Sequence, residues 1–306
     1  MPRATQRAAW VGLACAATAA ICFASKSIFA KLLYADGWDF ESVISTRALL
    51  ALPLIWGTAW WRSSTFGFRA APRSALIGAA LAGVLCYYVG VVADFGALTV
   101  IDASVERALL FSYPSMVVVL RALIDRQAPT AATFLALALT YGGILLVVTG
   151  AGHGSPAVNS TGVWLVLACA FTYALFYLAS ERWTPVLGSI NFTVASMSAA
   201  TFALTAHVLV RHGLPDFRAN PRDLGLIAGL VVIATVLPMF LTAEGVRRLG
   251  AQRAAIVSSV GPPTTIALGA LALGEQFALP QWLGVALIIA GILVLELRWR
   301  RRSPSR

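Results

Sequence analysis

Apolar residues run in blocks of about twenty over nearly the whole chain, separated by short polar or Gly- and Pro-containing breaks. A block of that length, coiled at about 1.5 Å per residue, crosses the roughly 30 Å hydrocarbon core of a bilayer. The pattern predicts helices over 8–33, 40–60, 74–97, 103–123, 130–150, 162–181, 190–210, 223–243, 251–273 and 280–298. The alternating segments of a membrane barrel are absent, and in lipid a helix satisfies its own backbone hydrogen bonds. The expected fold is therefore an all-α integral membrane protein with ten transmembrane helices.

The blocks repeat. Moving residues 103–146 forward by 148 positions lays Pro114 on Pro262, Gln127 on Glu275, Phe134 on Trp282 and the run beginning at Gly143 on the run beginning at Gly291. A shift of 154 lays Trp10 on Trp164 and LACAATA from Leu13 on LACAFTY from Leu167. Five helices per unit is an odd number, so the second unit must cross the membrane upside down relative to the first. This predicts two inverted five-helix repeats, 8–150 and 162–298, followed by a basic cytoplasmic tail, 299–306.

Composition narrows the class. With 59% hydrophobic and only 12% charged residues and a mean hydropathy of +0.80, the chain leaves almost nothing for a soluble domain. The net charge of +10 is not read as a nucleic-acid footprint, because the arginines sit in short loops and the tail rather than on a basic helix. Arg3, Arg7, Arg62, Arg69, Arg73, Arg121, Arg126, Arg182, Arg247, Arg248, Arg253 and the arginines from Arg298 to Arg302 fall on one side of the predicted topology. That side should be cytoplasmic, with both termini in the cytoplasm and the chain in the inner (plasma) membrane. Arg211, Arg218 and Arg222 fall on the other side and break the pattern. The basic N-terminus leads into an apolar run longer than a signal-peptide core, so it is read as an uncleaved first helix. Cys15, Cys22, Cys86 and Cys169 lie in apolar runs without metal-site spacing, so neither metal nor cofactor is expected.

Chemistry is concentrated in the stretch from Asp94 to Pro114, where acid and base interrupt apolar sequence. An ionised side chain at mid-bilayer costs about 2.5–3.5 kcal/mol on insertion scales, so such groups pair or function. Lys26, Arg47, Asp94, Glu106 and Arg107 form the candidate substrate or coupling set, with Tyr113 beside them. Lys26 and Arg47 each lie seven residues from the outer end of a predicted span, roughly 10 Å deep. They either snorkel outward or border a polar cavity open to the outside. The set has three cations and two carboxylates, leaving room for a substrate anion held by Lys26 or Arg47, with an amine, if present, on Asp94 or Glu106. Pro114, Pro262 and Pro263 remove backbone donors mid-span and are candidate hinges. Tyr87, Tyr88, Phe111, Tyr173 and Tyr177 could line a path, while His207 near a helix end and Glu275 at a turn are read as solvated and structural.

The patterns IDASVERALLFSYP from Ile101, GAQRAAIVSSVGPP from Gly250 and ALGEQFALPQWLGVALIIAGILVL from Ala272 resemble the drug/metabolite transporter superfamily, specifically the EamA family of ten-helix proteins with two EamA domains. The resemblance covers nearly the whole chain. It departs at Asp125, Arg126 and Gln127, where the family often has a Gly-Glu pair. The resemblance implies a transporter and favours export. The expected function is secondary transport, by alternating access, of a small polar or amphipathic metabolite such as an amino acid or related carboxylate, driven by a proton, another ion or the substrate's own gradient. No Walker A loop is present to bind ATP. A non-transporting receptor or assembly subunit is the alternative. A membrane-embedded enzyme has less support, since GxSxG, HExxH and clustered His or Cys are all missing.

Overall fold

A computed structural model describes residues 3–61, 67, 71–126, 131–150, 159–212, 220–274 and 278–302. All of its regular structure is helical among these residues. In order the helices are α1 (Arg3–Ala24), α2 (Lys26–Ala35), α3 (Phe40–Trp61), α4 (Arg73–Gly83), α5 (Val91–Ala97), α6 (Ala103–Leu110) and α7 (Tyr113–Ile124). They continue with α8 (Ala131–Gly150), α9 (Ser160–His212), α10 (Pro221–Val231), α11 (Leu237–Leu249), α12 (Ala251–Val257), α13 (Gly261–Leu273) and α14 (Leu279–Arg302). Wider π-helical turns, Val84–Gly90 and Val232–Val236, join α4 to α5 and α10 to α11, and a 3₁₀ turn, Ser258–Val260, joins α12 to α13.

Among the described residues, six helical runs are long and apolar enough to cross a bilayer: Trp10–Ala35, Phe40–Trp61, Arg73–Ala97, Val105–Ile124, Ser160–Arg211 and Pro221–Leu249. Phe134–Leu146 and Leu279–Gly291 are shorter apolar runs. Large apolar side chains cover the exterior, among them Phe202 and Leu271, as lipid rather than water as solvent requires. Trp60 and Trp61 project from the end of α3, where indoles favour the headgroup zone.

The helix starts carry the internal spacing seen in the sequence. Arg73, Val84, Ala103, Tyr113 and Ala131 each open an element, and the residues 148 positions on, Pro221, Val232, Ala251, Gly261 and Leu279, open elements of the same order. The two π-helical turns form one of these pairs. Gly143 and Gly291, also 148 apart, sit in the tight contact between α8 and α14. A Cβ on Gly143 would lie 2.4 Å from the Gly284 carbonyl oxygen, and one on Gly291 would lie 2.6 Å from that of Ala136. Both positions let helix backbones meet directly, the usual means of close packing in lipid.

Several expected boundaries move. The predicted helix 8–33 is broken at Ser25, whose amide and hydroxyl both donate to the Cys22 carbonyl. The helix predicted over 103–123 is interrupted at Phe111–Ser112, and that over 251–273 at the 3₁₀ turn. Conversely, the polar stretch from Glu181 onward, expected as a loop between 181 and 190, stays helical up to Gly188, whose φ of 77° provides the only sharp kink inside α9. That left-handed backbone conformation suits glycine alone without strain. Residues 299–302, assigned to a tail, continue α14. Gln127, Glu275, Arg62, Arg69, Arg218 and residues 303–306 lie outside the described residues.

Two of the arginines that broke the one-sided charge pattern have acidic neighbours. Arg222 Nε lies 3.3 Å from Asp36 Oδ2, and Arg211 Nη1 lies 3.9 Å from Glu41 Oε1. Between them Trp38 Nε1 donates to Asp223 Oδ2 at 3.0 Å, with both side chains buried. The turn between α2 and α3 is thereby clasped to the end of α9 and the start of α10.

Candidate functional site

The break at Ser25 builds the site. The last carbonyls of a helix lack intrahelical donors, and two of those ending α1 are met from distant elements: Arg107 Nη2 donates to Phe23 O at 2.6 Å, and Thr265 Oγ1 donates to Ala24 O at 3.2 Å. The next helix opens with Lys26 and Ser27, so both side chains enter the interior rather than the lipid. Asp94 arrives from α5, and Glu106 and Arg107 from the amphipathic α6.

Lys26 is held between two carboxylates. Its Nζ hydrogen-bonds to Asp94 Oδ2 and lies 3.5 Å from Glu106 Oε1, while Ser27 Oγ donates to Glu106 Oε2 at 2.5 Å. Asp94 and Glu106 are 1% and 0% exposed, so the attraction acts where water does not screen it. Neither Arg47 nor Arg107 has a carboxylate at ion-pair distance among the described residues. Arg47 Nη1 donates to Thr235 Oγ1 at 3.3 Å, and Thr235 Oγ1 donates to the Leu230 carbonyl at 2.8 Å across the second π-helical turn. Phe95, fully buried, stands between the cations, its ring centroid 5.5 Å from Lys26 Nζ and 5.2 Å from Arg47 Cζ. A desolvated cation over a ring gains about 2 kcal/mol. Three buried atoms of this set have no protein partner: Asp94 Oδ1, Arg47 Nε and Arg107 Nε.

The structure departs here from one sequence expectation for the charges. Lys26, Arg47 and Arg107 are at most 5% exposed, so none of them snorkels. The reason is pairing and packing: the break between α1 and α2 turns Lys26 inward onto two acids, and Arg107 is drawn to the Phe23 carbonyl.

Beside this cluster lies a cavity of about 30 Å³, reached by Arg107 but not by Lys26, Asp94, Glu106 or Arg47. Its walls include Tyr87, Phe111, Tyr113, Tyr173, Phe176 and Tyr177, with Thr242 and Ser258. The volume suits one or two waters, well short of the 300–1,000 Å³ of a ligand pocket, so the walls are closed together in this conformation. Tyr113 and Tyr177 hydroxyls are 3.3 Å apart, and that of Tyr177 is 3.3 Å from Ser258 Oγ. The rings meet at tilted or edge-on angles: Tyr113 with Tyr177 at 5.2 Å between centroids, Tyr113 with Tyr173 at 5.9 Å, and Tyr87 with Phe176 at 4.8 Å. Phe111 lies in the Phe111–Ser112 break, Tyr113 follows it and Ser258 opens the 3₁₀ turn, so both interrupted helices reach the cavity.

Of the residues singled out in the sequence, Tyr87, Phe111, Tyr113, Tyr173, Tyr177 and Arg107 share this cavity. Tyr88 does not; its hydroxyl is 3.0 Å from Nδ1 of the half-buried His207. Pro114 is the second residue of α7, and Pro262 and Pro263 follow Gly261 at the start of α13, each just after an interruption. Sequence reading missed Ser27, Phe95, Thr235, Thr242 and Ser258. Phe176 could have been found, since Tyr173, Phe176 and Tyr177 have the i, i+3, i+4 spacing of one helix face; nothing local marks Phe95 or Thr235.

The model of the EamA-like transporter family matches this chain twice, over residues 10–149 and 160–297. The chain belongs to the EamA-like transporter family. It is 33% identical over 288 residues to the uncharacterized transporter YcbK of Bacillus subtilis, covering 91% of this chain and 90% of that one. It is 28% identical over 207 residues to the uncharacterized inner membrane transporter YicL of Salmonella typhimurium, covering 67% of each. A solved crystal structure with 17% sequence identity superposes with a TM-score of 0.69 over 98% of this chain and 99% of its own, a likeness of fold. As an EamA-like protein the chain is a membrane transporter, with a lipid surround and a small-molecule substrate.

Proposed function

We propose that this EamA-like protein is a secondary transporter that moves a small polar or amphipathic metabolite, with carboxylates as the leading class, across the inner membrane by alternating access, in the direction of export. The observation that supports this most is the cavity walled at once by the Phe111–Ser112 break and the Ser258–Val260 turn. Interrupted helices free backbone groups for a solute and give the two halves a place to flex. Pro114, Pro262 and Pro263, placed just after the interruptions, serve as hinges in this reading, because a proline there cannot restore the missing hydrogen bonds.

The halves are 8–150 and 162–298, taken as inverted five-helix repeats of a ten-helix protein. Paired element starts 148 residues apart support that division. Lys26 with Asp94 and Glu106 is the coupling group: one ammonium shared by two buried carboxylates can change partner when a proton or another cation arrives. The basic loops support a topology with both termini in the cytoplasm. Reporter fusions at the C-terminus are expected to show cytoplasmic activity only; an external reporter signal would reverse the orientation and the depth order of the site.

Reconstitution into proteoliposomes tests the transport reading. Loaded with a mixture of metabolites, vesicles carrying the protein are expected to lose or accumulate particular solutes faster than empty vesicles. Equal rates for every solute, with and without an imposed proton gradient, would favour the receptor or assembly role instead.

A further inference from the structure

We propose that the cavity takes an amphipathic monoanion with a flat apolar body, its anionic head on Arg107 and its body between the aromatic walls, and that it selects against the same body carrying an ammonium group. The inference rests on the transport reading for its purpose, but the binding it describes can be measured apart from transport.

The head group follows from the charges. Arg107 is the only charged residue among the described cavity walls. It is 5% exposed, its Nε has no acceptor, and its Nη2 is already spent on the Phe23 carbonyl and, at 3.5 Å, Ser27 Oγ. A buried guanidinium nitrogen left without an acceptor is costly, and a carboxylate is the acceptor whose geometry fits it. Lys26 and Arg47, the two residues that sequence alone favours for this role, do not reach the cavity, and Lys26 is occupied by Asp94 and Glu106.

The same charges exclude an ammonium. Both carboxylates of the cluster face Lys26, and no carboxylate lines the described walls, so an incoming ammonium would meet Arg107 without a counter-charge. With all five groups ionised, Lys26, Arg47 and Arg107 against Asp94 and Glu106 leave one positive charge, which a monoanion neutralises and a zwitterion does not. In a buried site with room for only one or two waters that difference is large.

The body follows from the walls. Tyr87, Phe111, Tyr113, Tyr173, Phe176 and Tyr177 present ring faces and edges to one small space. Their tilted contacts, at centroid separations from 4.8 to 5.9 Å, are of the kind that a ring of the substrate would also make. The hydroxyl chain from Tyr113 through Tyr177 to Ser258 offers hydrogen bonds at the end of the body. The space holds one or two waters as it stands, so the walls must part to admit a ligand, and a short aliphatic acid would part them without making ring contacts.

The test varies head and body separately on the purified full-length protein in detergent at neutral pH. Phenylacetate, phenylalanine and phenethylamine share a ring and differ in charge; acetate keeps the head and lacks the ring. Phenylacetate is expected to raise the thermal unfolding midpoint in a saturable way, with phenylalanine and phenethylamine at least 10-fold weaker and acetate without effect. Arg107→Gln should weaken phenylacetate by roughly 10- to 150-fold, the worth of one charge-assisted hydrogen bond, and Arg107→Lys should keep the order of preference. Binding of phenylalanine or phenethylamine as tight as that of phenylacetate, or no phenylacetate binding at all, overturns the inference using the unaltered protein, whatever the variants do. Unchanged phenylacetate affinity in a folded Arg107→Gln protein overturns it too. If vesicles move some other solute that phenylacetate does not compete with, the transport reading stands and this inference falls. If phenylacetate binds through Arg107 while no solute moves, the inference stands and the transport reading falls.

Discussion

Lys26→Met is expected to lower the stability of the folded protein by about 3–5 kcal/mol and to abolish transport. The methionine fits the space, but Asp94 and Glu106, 1% and 0% exposed, are left facing each other's charge without the ammonium that both use. Removing one partner of a buried ion pair has this cost because the carboxylates left behind must stay charged without solvation or take up a proton, and both are unfavourable. The triple change Lys26→Met, Asp94→Asn, Glu106→Gln removes the charges together and should recover most of the stability while transport stays absent. Equilibrium unfolding in mixed micelles gives the first quantity and vesicle flux the second. A single variant as stable as the original would mean that the ion triad contributes nothing to the fold, and a triple variant no better than the single would show that the loss is one of packing.

The second large effect falls on the contact between α8 and α14. Gly143→Leu and Gly291→Leu should each destabilise the protein by about 3 kcal/mol or more, because a Cβ at either place falls 2.4–2.6 Å from a backbone carbonyl oxygen of the facing helix. A backbone cannot swing aside as a flexible side chain can, so the helices must separate along their length, and the penalty reaches the upper end of that for overpacked cores. Gly142→Leu, whose Cβ would meet nothing within 4 Å, is the control and should be close to neutral. Thermal unfolding of the three proteins decides it: equal midpoints for Gly142→Leu and Gly143→Leu would remove the close-packing argument.

Much of this molecule is determined by its sequence alone. In lipid the backbone has no partner but itself, so a block of apolar residues long enough to cross is a helix whatever surrounds it. That is why Phe40–Trp61 and Ala131–Gly150 fall within a residue or so of the predicted 40–60 and 130–150. The 148-residue spacing of Tyr113 and Gly261, or of Gly143 and Gly291, is equally local information, written in residue identities before any contact forms. Family membership rests on the same signal.

Tertiary structure decided where the helices break and which charges meet. Hydropathy sums neighbours and cannot see that Ser25 ends a helix whose freed carbonyls are satisfied by Arg107, 84 residues from Phe23, and by Thr265, 241 residues from Ala24. Those partners make the break affordable, and the break in turn points Lys26 at Asp94 and Glu106, 68 and 80 residues away. Counting charges along the chain left a cation over and pointed to Lys26 or Arg47 to receive a substrate. Packing instead occupied Lys26, laid Arg47 against Thr235 and Phe95, and left Arg107 at the cavity wall. An ion pair's strength depends on distance and on the water excluded around it, and both are properties of the assembled fold rather than of sequence position.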